Sequence, residues 1–227
     1  MQNVKNTMID RLLSVVAPHL CCGCGKIGTL LCPNCKYDIS THRLTSCIVC
    51  KRPNLVGICM DHNITYKRAW VVGERRDTLQ RLIGGFKFQN MKAAAAVLAE
   101  LLNEQLPSFP AGVVIVPIPT APSHIRERGY DHMLLIAKYL ADSRRLPVET
   151  IVGRNNTATQ HHANRENRLL QAQTAFRLNH LPDPGKIYLL IDDVVTTGST
   201  IDQASRLLTE AGAIHVWVGA LARQPLD

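Results

Sequence analysis

The chain has 227 residues, 46% of them apolar and 5% aromatic, and a formal net charge of +8. That length suits one full hydrophobic core plus a small extra module, and the ordinary apolar share excludes a disordered chain. No apolar run approaches the ~20 residues of a membrane helix, and Asp10 and Arg11 interrupt the N-terminal apolar stretch. The sequence therefore predicts no membrane insertion, no signal peptide and a cytoplasmic location.

In chain order, Val4, Met8, Leu12, Leu13 and Val16 form one apolar helical face that Pro18 ends, predicting a short docking helix. Two pairs of cysteine knuckles follow. Cys21-x-x-Cys24 precedes Cys32-x-x-Cys35, and Cys47-x-x-Cys50 precedes Cys59-x-x-His62. Knuckles joined by a short loop can bring four ligands round one tetrahedral Zn²⁺, and imidazole is a normal ligand. One or two structural zinc sites are expected, with Cys22 surplus; disulfides and unliganded thiols are the alternatives. A closed four-ligand site leaves no open position, so such zinc would stabilise without taking part in chemistry. Residues 1–68 also hold nine Lys or Arg against three acids. That balance suggests an anionic partner such as nucleic acid, although metal-bound thiolates reduce it to about +3.

The cysteines stop at Cys59, and an α/β pattern begins near Trp70. We place the division at residue 66, giving an N-terminal helix and double zinc-ribbon module over 1–66 and a second domain over 67–227. In the second domain, Ala69–Val72 reads as a strand and Thr78–Gly84 as a helix, followed by the basic-aromatic run Phe86-Lys87-Phe88. Met91–Leu106 reads as a helix from its Val97, Leu98, Leu101, Leu102 stripe. Val113–Val116 is a short β-branched strand, Tyr130–Asp142 a helix and Ile187–Ile191 a buried strand. Ile201, Ala204, Leu207, Leu208 and Ala211 mark a helix with Gly212 as its stop, and Val216–Leu221 is a final strand. This alternation predicts a parallel sheet covered on both faces.

The densest chemistry lies at Tyr188–Thr200, YLLIDDVVTTGST. Apolar residues run into Asp192 and Asp193, then a hydroxyl-rich loop, then a helix. Two carboxylates at the C-terminal end of a buried strand lie where open α/β sheets bind ligands. Adjacent ionised acids repel, and one natural partner set is the 2′ and 3′ hydroxyls of a ribose with Mg²⁺ nearby. Thr196, Thr197, Ser199 and Thr200 supply hydroxyls, and Gly198 allows close backbone approach. With the helix N-terminus they can cup a 5′-phosphate.

This segment resembles the phosphoribosyl-pyrophosphate signature of type I phosphoribosyltransferases. The knuckles, Phe86-Lys87-Phe88, Val116-Pro117-Ile118-Pro119, Arg126-Glu127-Arg128-Gly129-Tyr130, Thr159-Gln160 and Ala175-Phe176-Arg177 are similar to the ComF (ComFC/GntX-like) family over almost the whole chain. The resemblance implies a type I phosphoribosyltransferase-like parallel sheet flanked by helices, with a small N-terminal zinc-ribbon module. It implies phosphoribosyl pyrophosphate (PRPP) as ligand, with Mg²⁺. The signature residues Asp192, Asp193, Val195, Thr196, Thr197, Gly198, Ser199 and Thr200 would bind it, with Lys87 as a second cation. His124, Arg126 and Arg128 would face the pyrophosphate on a loop, the two arginines with Asp192 and Asp193 as the catalytic set. Residues 153–173 are similar to a lid. Two departures stand out: Asp131-His132 replaces the family's Asn-Gln, and Glu166-Asn167-Arg168 replaces an Arg-Arg-Asn triplet. The implied activity is phosphoribosyl transfer to an unidentified acceptor, linked to natural competence. The alternative is a non-catalytic accessory protein that binds single-stranded DNA beside a competence helicase, with the phosphoribosyl site as a sensor.

Overall fold

The computed structural model describes residues 19–41, 46–155 and 175–225. The expected docking helix and almost all of the expected lid lie outside them. Among the described residues no helix is long and apolar enough to cross a membrane.

After helix α1 (Pro33–Thr41), the order is β1 (Arg68–Glu74), α2 (Asp77–Phe88), α3 (Ala94–Gln105), β2 (Val113–Pro117), α4 (Pro122–Arg128) and α5 (His132–Arg144). Then come β3 (Val152–Arg154), β4 (Phe176–Leu178), β5 (Ile187–Val195), α6 (Ser199–Glu210) and β6 (His215–Arg223). β1, β6, β5 and β2 pair in that order, all parallel. β3 and β4 form a separate antiparallel ribbon. The parallel sheet flanked by helices is the fold class expected.

Strand side chains alternate between two cores. Val113, Ile115, Leu189 and Ile191 point to the face covered by α2, α3 and α5. Val114, Val116, Tyr188 and Leu190 point to the face covered by α6 and the β3–β4 ribbon. All five residues of β2 are buried, which is why its sequence is an unbroken apolar run and not an alternating one.

Three differences from the sequence reading bear on function. α2 runs through Phe88, so Lys87 lies in its last helical turn and not in a following segment. β5 continues four residues past Ile191 because β6 pairs alongside, Asp192 against Ala220 and Val195 against Arg223. The acidic doublet is thus inside a strand. The expected pyrophosphate loop contains a seven-residue helix, α4, opened by Pro122 and closed by Gly129 at φ 76°. α4 buries none of its residues, so it carries no apolar periodicity to reveal it.

Candidate functional site

The carboxyl end of β5 opens into a cleft of about 410 Å³. Lys87, Pro119, Thr120, His124, Arg128, His132, Arg154, Asp192, Asp193 and Thr200 are among its walls. Both acids are buried. Asp192 Oδ1 accepts from the Asp193 backbone N–H at 2.8 Å. Asp193 Oδ2 meets Lys87 Nζ at 2.6 Å and His132 Nε2 at 2.5 Å.

These environments drive the two carboxyls apart. Burial, then the neighbouring Asp193 charge, raises Asp192 to about 7. Burial also opposes ionisation of Asp193, but the His132 hydrogen bond and the Lys87 ammonium prevail and hold it down at about 2. Arg128 Nη1 lies 3.0 Å from His132 Nδ1. Because guanidinium only donates, that nitrogen is the acceptor and Nε2 carries the proton given to Asp193. The result is a chain of contacts, Arg128 to His132 to Asp193 to Lys87.

His132 is the residue the sequence reading missed. It stands where the family has an amide. The departure is visible in the sequence, but the contact that gives it a role, with Asp193, is not. Asp131 is occupied elsewhere: its Oδ1 accepts from Leu134 N–H at 3.1 Å, capping α5, and from Thr120 Oγ1 at 2.8 Å. Arg154, read as part of a lid, is instead on β3 with Nε on the Pro119 carbonyl at 2.8 Å.

The expected basic set divides. His124 and Arg128 are four apart on α4 and share the cleft face. Arg126, two residues from Arg128, projects from the other side of the helix, is exposed and is not among the cleft walls. Reading this segment as a loop hid that divergence in direction between Arg126 and Arg128. The Val195 side chain is packed in the core.

Thr196, Thr197 and Ser199 are exposed beside the doublet, and Thr200 reaches the cleft. Gly198 takes φ 80° and starts α6 with no side-chain cap. A left-handed residue is needed there; Gly198 supplies no side-chain cap, and the Ser199 N–H donates to Thr197 Oγ1 at 3.4 Å.

None of the clustered cysteines, nor His62, is among the walls of this cleft. Sulfur or ring-nitrogen atoms of Cys21, Cys24, Cys32 and Cys35 lie within 4.8 Å of one another, as do those of Cys47, Cys50, Cys59 and His62. The Cys24–Cys32 and Cys50–Cys59 sulfurs are 3.6 and 3.5 Å apart. A tetrahedron with zinc–sulfur bonds of ~2.3 Å has edges of ~3.8 Å, whereas a disulfide is ~2.05 Å. His62 Nε2 is buried without a hydrogen-bond partner, as an unfilled ligand atom would be. Burial pushes the Cys21 thiol up, but the N–H groups of Cys24, Cys32 and Gly23 bring it down to about 6. Both groups can hold zinc; Cys22 is outside them and half-buried.

No family model matches the chain. DNA utilization protein YhgH of Salmonella typhimurium is 32% identical over 208 residues, covering 85% of this chain and 84% of its own. Competence protein F of Haemophilus influenzae is 31% identical, covering 74% and 77%. Competence protein ComFC of Streptococcus pneumoniae is 30% identical, covering 90% and 87%. Among solved structures, the allosteric regulatory enzyme of purine biosynthesis aligns with TM-score 0.42 and 19% identity, over 57% of this chain and 25% of that one. A hypoxanthine phosphoribosyltransferase from Staphylococcus aureus aligns with TM-score 0.34 and 16% identity, over 60% and 65%. Structural likeness at this level does not bear on what the cleft holds.

Proposed function

Since the chain belongs to the ComF family, we propose that the cleft binds PRPP with Mg²⁺ and transfers the phosphoribosyl group to an acceptor during DNA uptake in the cytoplasm. One observation carries the reading. The acidic doublet, three cationic side chains (Lys87, Arg128, Arg154) and the start of α6 converge on one cleft. The division at residues 66 and 67 belongs to the same proposal, supported by β1 beginning at Arg68.

The roles follow from charge and position. Asp193, held ionised, accepts from the ribose hydroxyls. The buried Asp192 fixes the Asp193 main chain. Thr196, Thr197, Ser199 and Thr200 with the first N–H groups of α6 hold the 5′-phosphate. Arg128 suits the diphosphate through its planar fork, and Lys87 is poised to exchange Asp193 for a phosphate oxygen. Mg²⁺ would neutralise the diphosphate oxygens. It would come in mainly on the ligand, because Asp193 already has two cationic or hydrogen-bonding partners. Bond cleavage at the ribose anomeric carbon develops positive charge, which the ionised Asp193 stabilises.

Titration calorimetry tests this. PRPP should bind with Mg²⁺ and not without it, and Asp193→Asn should weaken binding by at least ~10-fold. No heat from PRPP plus Mg²⁺ with the unmodified protein would overturn the reading.

A second reading rests on the relatives' names, which concern DNA use and competence. In it the chain grips single-stranded DNA beside a helicase. Tyr37 and Phe88, each 69% exposed, are available for base stacking. Single-strand affinity that falls steeply with salt and is lost in Tyr37→Ala/Phe88→Ala would support it.

A further inference from the structure

The two cysteine clusters serve different elements. The first packs Cys21, Cys32 and Cys35 into the core with α2 and α3, and Arg81 of α2 donates to the Cys22 and Gly23 carbonyls at 2.5 and 3.2 Å. The second lies on the opposite face of the sheet, against the hydroxyl loop. Val49, between Cys47 and Cys50, comes within contact range of Gly198: a Cβ placed there would lie 3.7 Å from Val49 Cγ2. A gap of about 370 Å³ is walled by Val49, His62 and Asn63 on one side and by Thr197, Gly198, Ser199 and Asp202 on the other.

Three further ties fix this arrangement. Arg206 of α6 donates through Nε to Asp202 at 2.8 Å and through Nη2 to the Asn63 carbonyl at 2.5 Å. Asn63 directly follows the ligand His62. Thr65 Oγ1 and Ser205 Oγ are 2.7 Å apart. Arg223, where β6 ends, donates to Ser46 Oγ and the Cys47 carbonyl, both at 3.0 Å. The next residue, Gln224, gives its N–H to the Val195 carbonyl at 2.8 Å, at the base of the same loop. The hydroxyl loop is therefore met at its turn and at its following helix by the segment that the Cys47–His62 ligands would close, and its base is bonded by Gln224, the neighbour of the Arg223 that holds Cys47.

We infer that the second cluster is the mount of the 5′-phosphate cradle, so that metal at Cys47, Cys50, Cys59 and His62 positions Thr196–Thr200, whereas metal at the first cluster does not. Segment 46–66 buries few apolar side chains, chiefly Ile48 and Tyr66. Without a metal closing it, Val49 and Asn63 are left with the few polar ties just described. Val49 and the Asn63–Arg206 contact are the positioning elements. The identity of the phosphate ligand rests on the proposed function; the mount itself does not.

The test compares Cys59→Ser with Cys24→Ser in the full chain, each measured for zinc content, amide exchange and binding of ribose 5-phosphate. Cys59→Ser should lose one zinc per chain, speed exchange at residues 196–202 at least tenfold and weaken ribose 5-phosphate at least tenfold. Cys24→Ser should also lose one zinc but leave exchange at 196–202 as in the unmodified protein. His62→Cys keeps four ligands and should leave zinc content, exchange at 196–202 and ribose 5-phosphate binding as in the unmodified protein. If Cys59→Ser does not fold, Val49→Gly decides: it should retain both zincs and still loosen 196–202. Unchanged exchange at 196–202 in Cys59→Ser or Val49→Gly, or equal loosening by Cys24→Ser, overturns the inference. Should the unmodified protein take up no ribose phosphate, the proposed function fails, while the exchange comparison still judges the mount.

Discussion

The two faces of the sheet equip the cleft in different ways. The α2, α3 and α5 face is thick and apolar, with Leu82, Leu98, Leu102, Ile136 and Leu140 all fully buried. It sends long side chains into the cleft: Lys87 from the end of α2 and His132 from the start of α5. The α6 face is thinner and offers main-chain N–H groups and short hydroxyls instead. A thick layer can hold long charged side chains in one rotamer, because their stems pack on rigid neighbours. A backbone cradle needs its loop fixed from outside, and here the segment carrying the second cysteine cluster lies against it.

Metal removal should expose this asymmetry most strongly. A strong chelator withdraws binding free energy of ~10 kcal/mol per structural zinc. Followed by hydrogen exchange, residues 46–66 and 196–210 should lose protection before α3 and α5 do. Simultaneous loss on both faces would erase the distinction. Next in size are matched cavities. Leu98→Ala on the thick face and Leu208→Ala on the thin one remove equally buried side chains. Each should cost ~2–5 kcal/mol in denaturant melts, and the thin face should give the lower figure because it can collapse further.

A pH experiment probes the strand end between the faces. The folded pKa of Asp192 is raised, so its penalty develops as pH rises from about 4 to about 7. That of Asp193 is lowered, so its contribution is present above about 4 and is lost as pH falls toward about 2. Asp192→Asn should therefore be more stable than the unmodified protein at pH 8, on the order of 1–3 kcal/mol, with the gain shrinking toward pH 4. A gain that is the same at both pH values would contradict this assignment. The smallest effect belongs to Arg206→Ala. Losing its bond to the Asn63 carbonyl should cost ~1 kcal/mol of global stability, yet speed exchange at Ser199 and Thr200 more than anywhere in α3.

Local pattern made the sheet and its long helices legible. The β-branched run at Val113–Val116 has no competing reading, and Ile201, Ala204 and Leu208 repeat at helical spacing. The knuckles were legible because two ligands three residues apart need little tertiary context. α4 and the β3–β4 ribbon were not, being too short to show a period. That cost the separation of Arg126 from Arg128, which is a fact about helical angle. His132 was missed for another reason. The sequence shows it as a departure from the family's amide, but its role comes from Asp193, 61 residues away. The bond from Arg206 to Asn63 spans 143 residues.

The strand order carries one further consequence, for biosynthesis. β1 pairs only with β6, and Cys47 is held by Arg223 at the end of β6. A nascent chain stalled before Arg223 has already made every knuckle, yet the second lacks its seat until the last strand emerges. The first needs only α2 and α3, which are translated much earlier. If both clusters take zinc, such a stalled chain should take up its first zinc tightly and its second weakly, an order of loading set by translation on two nearly identical sets of ligands.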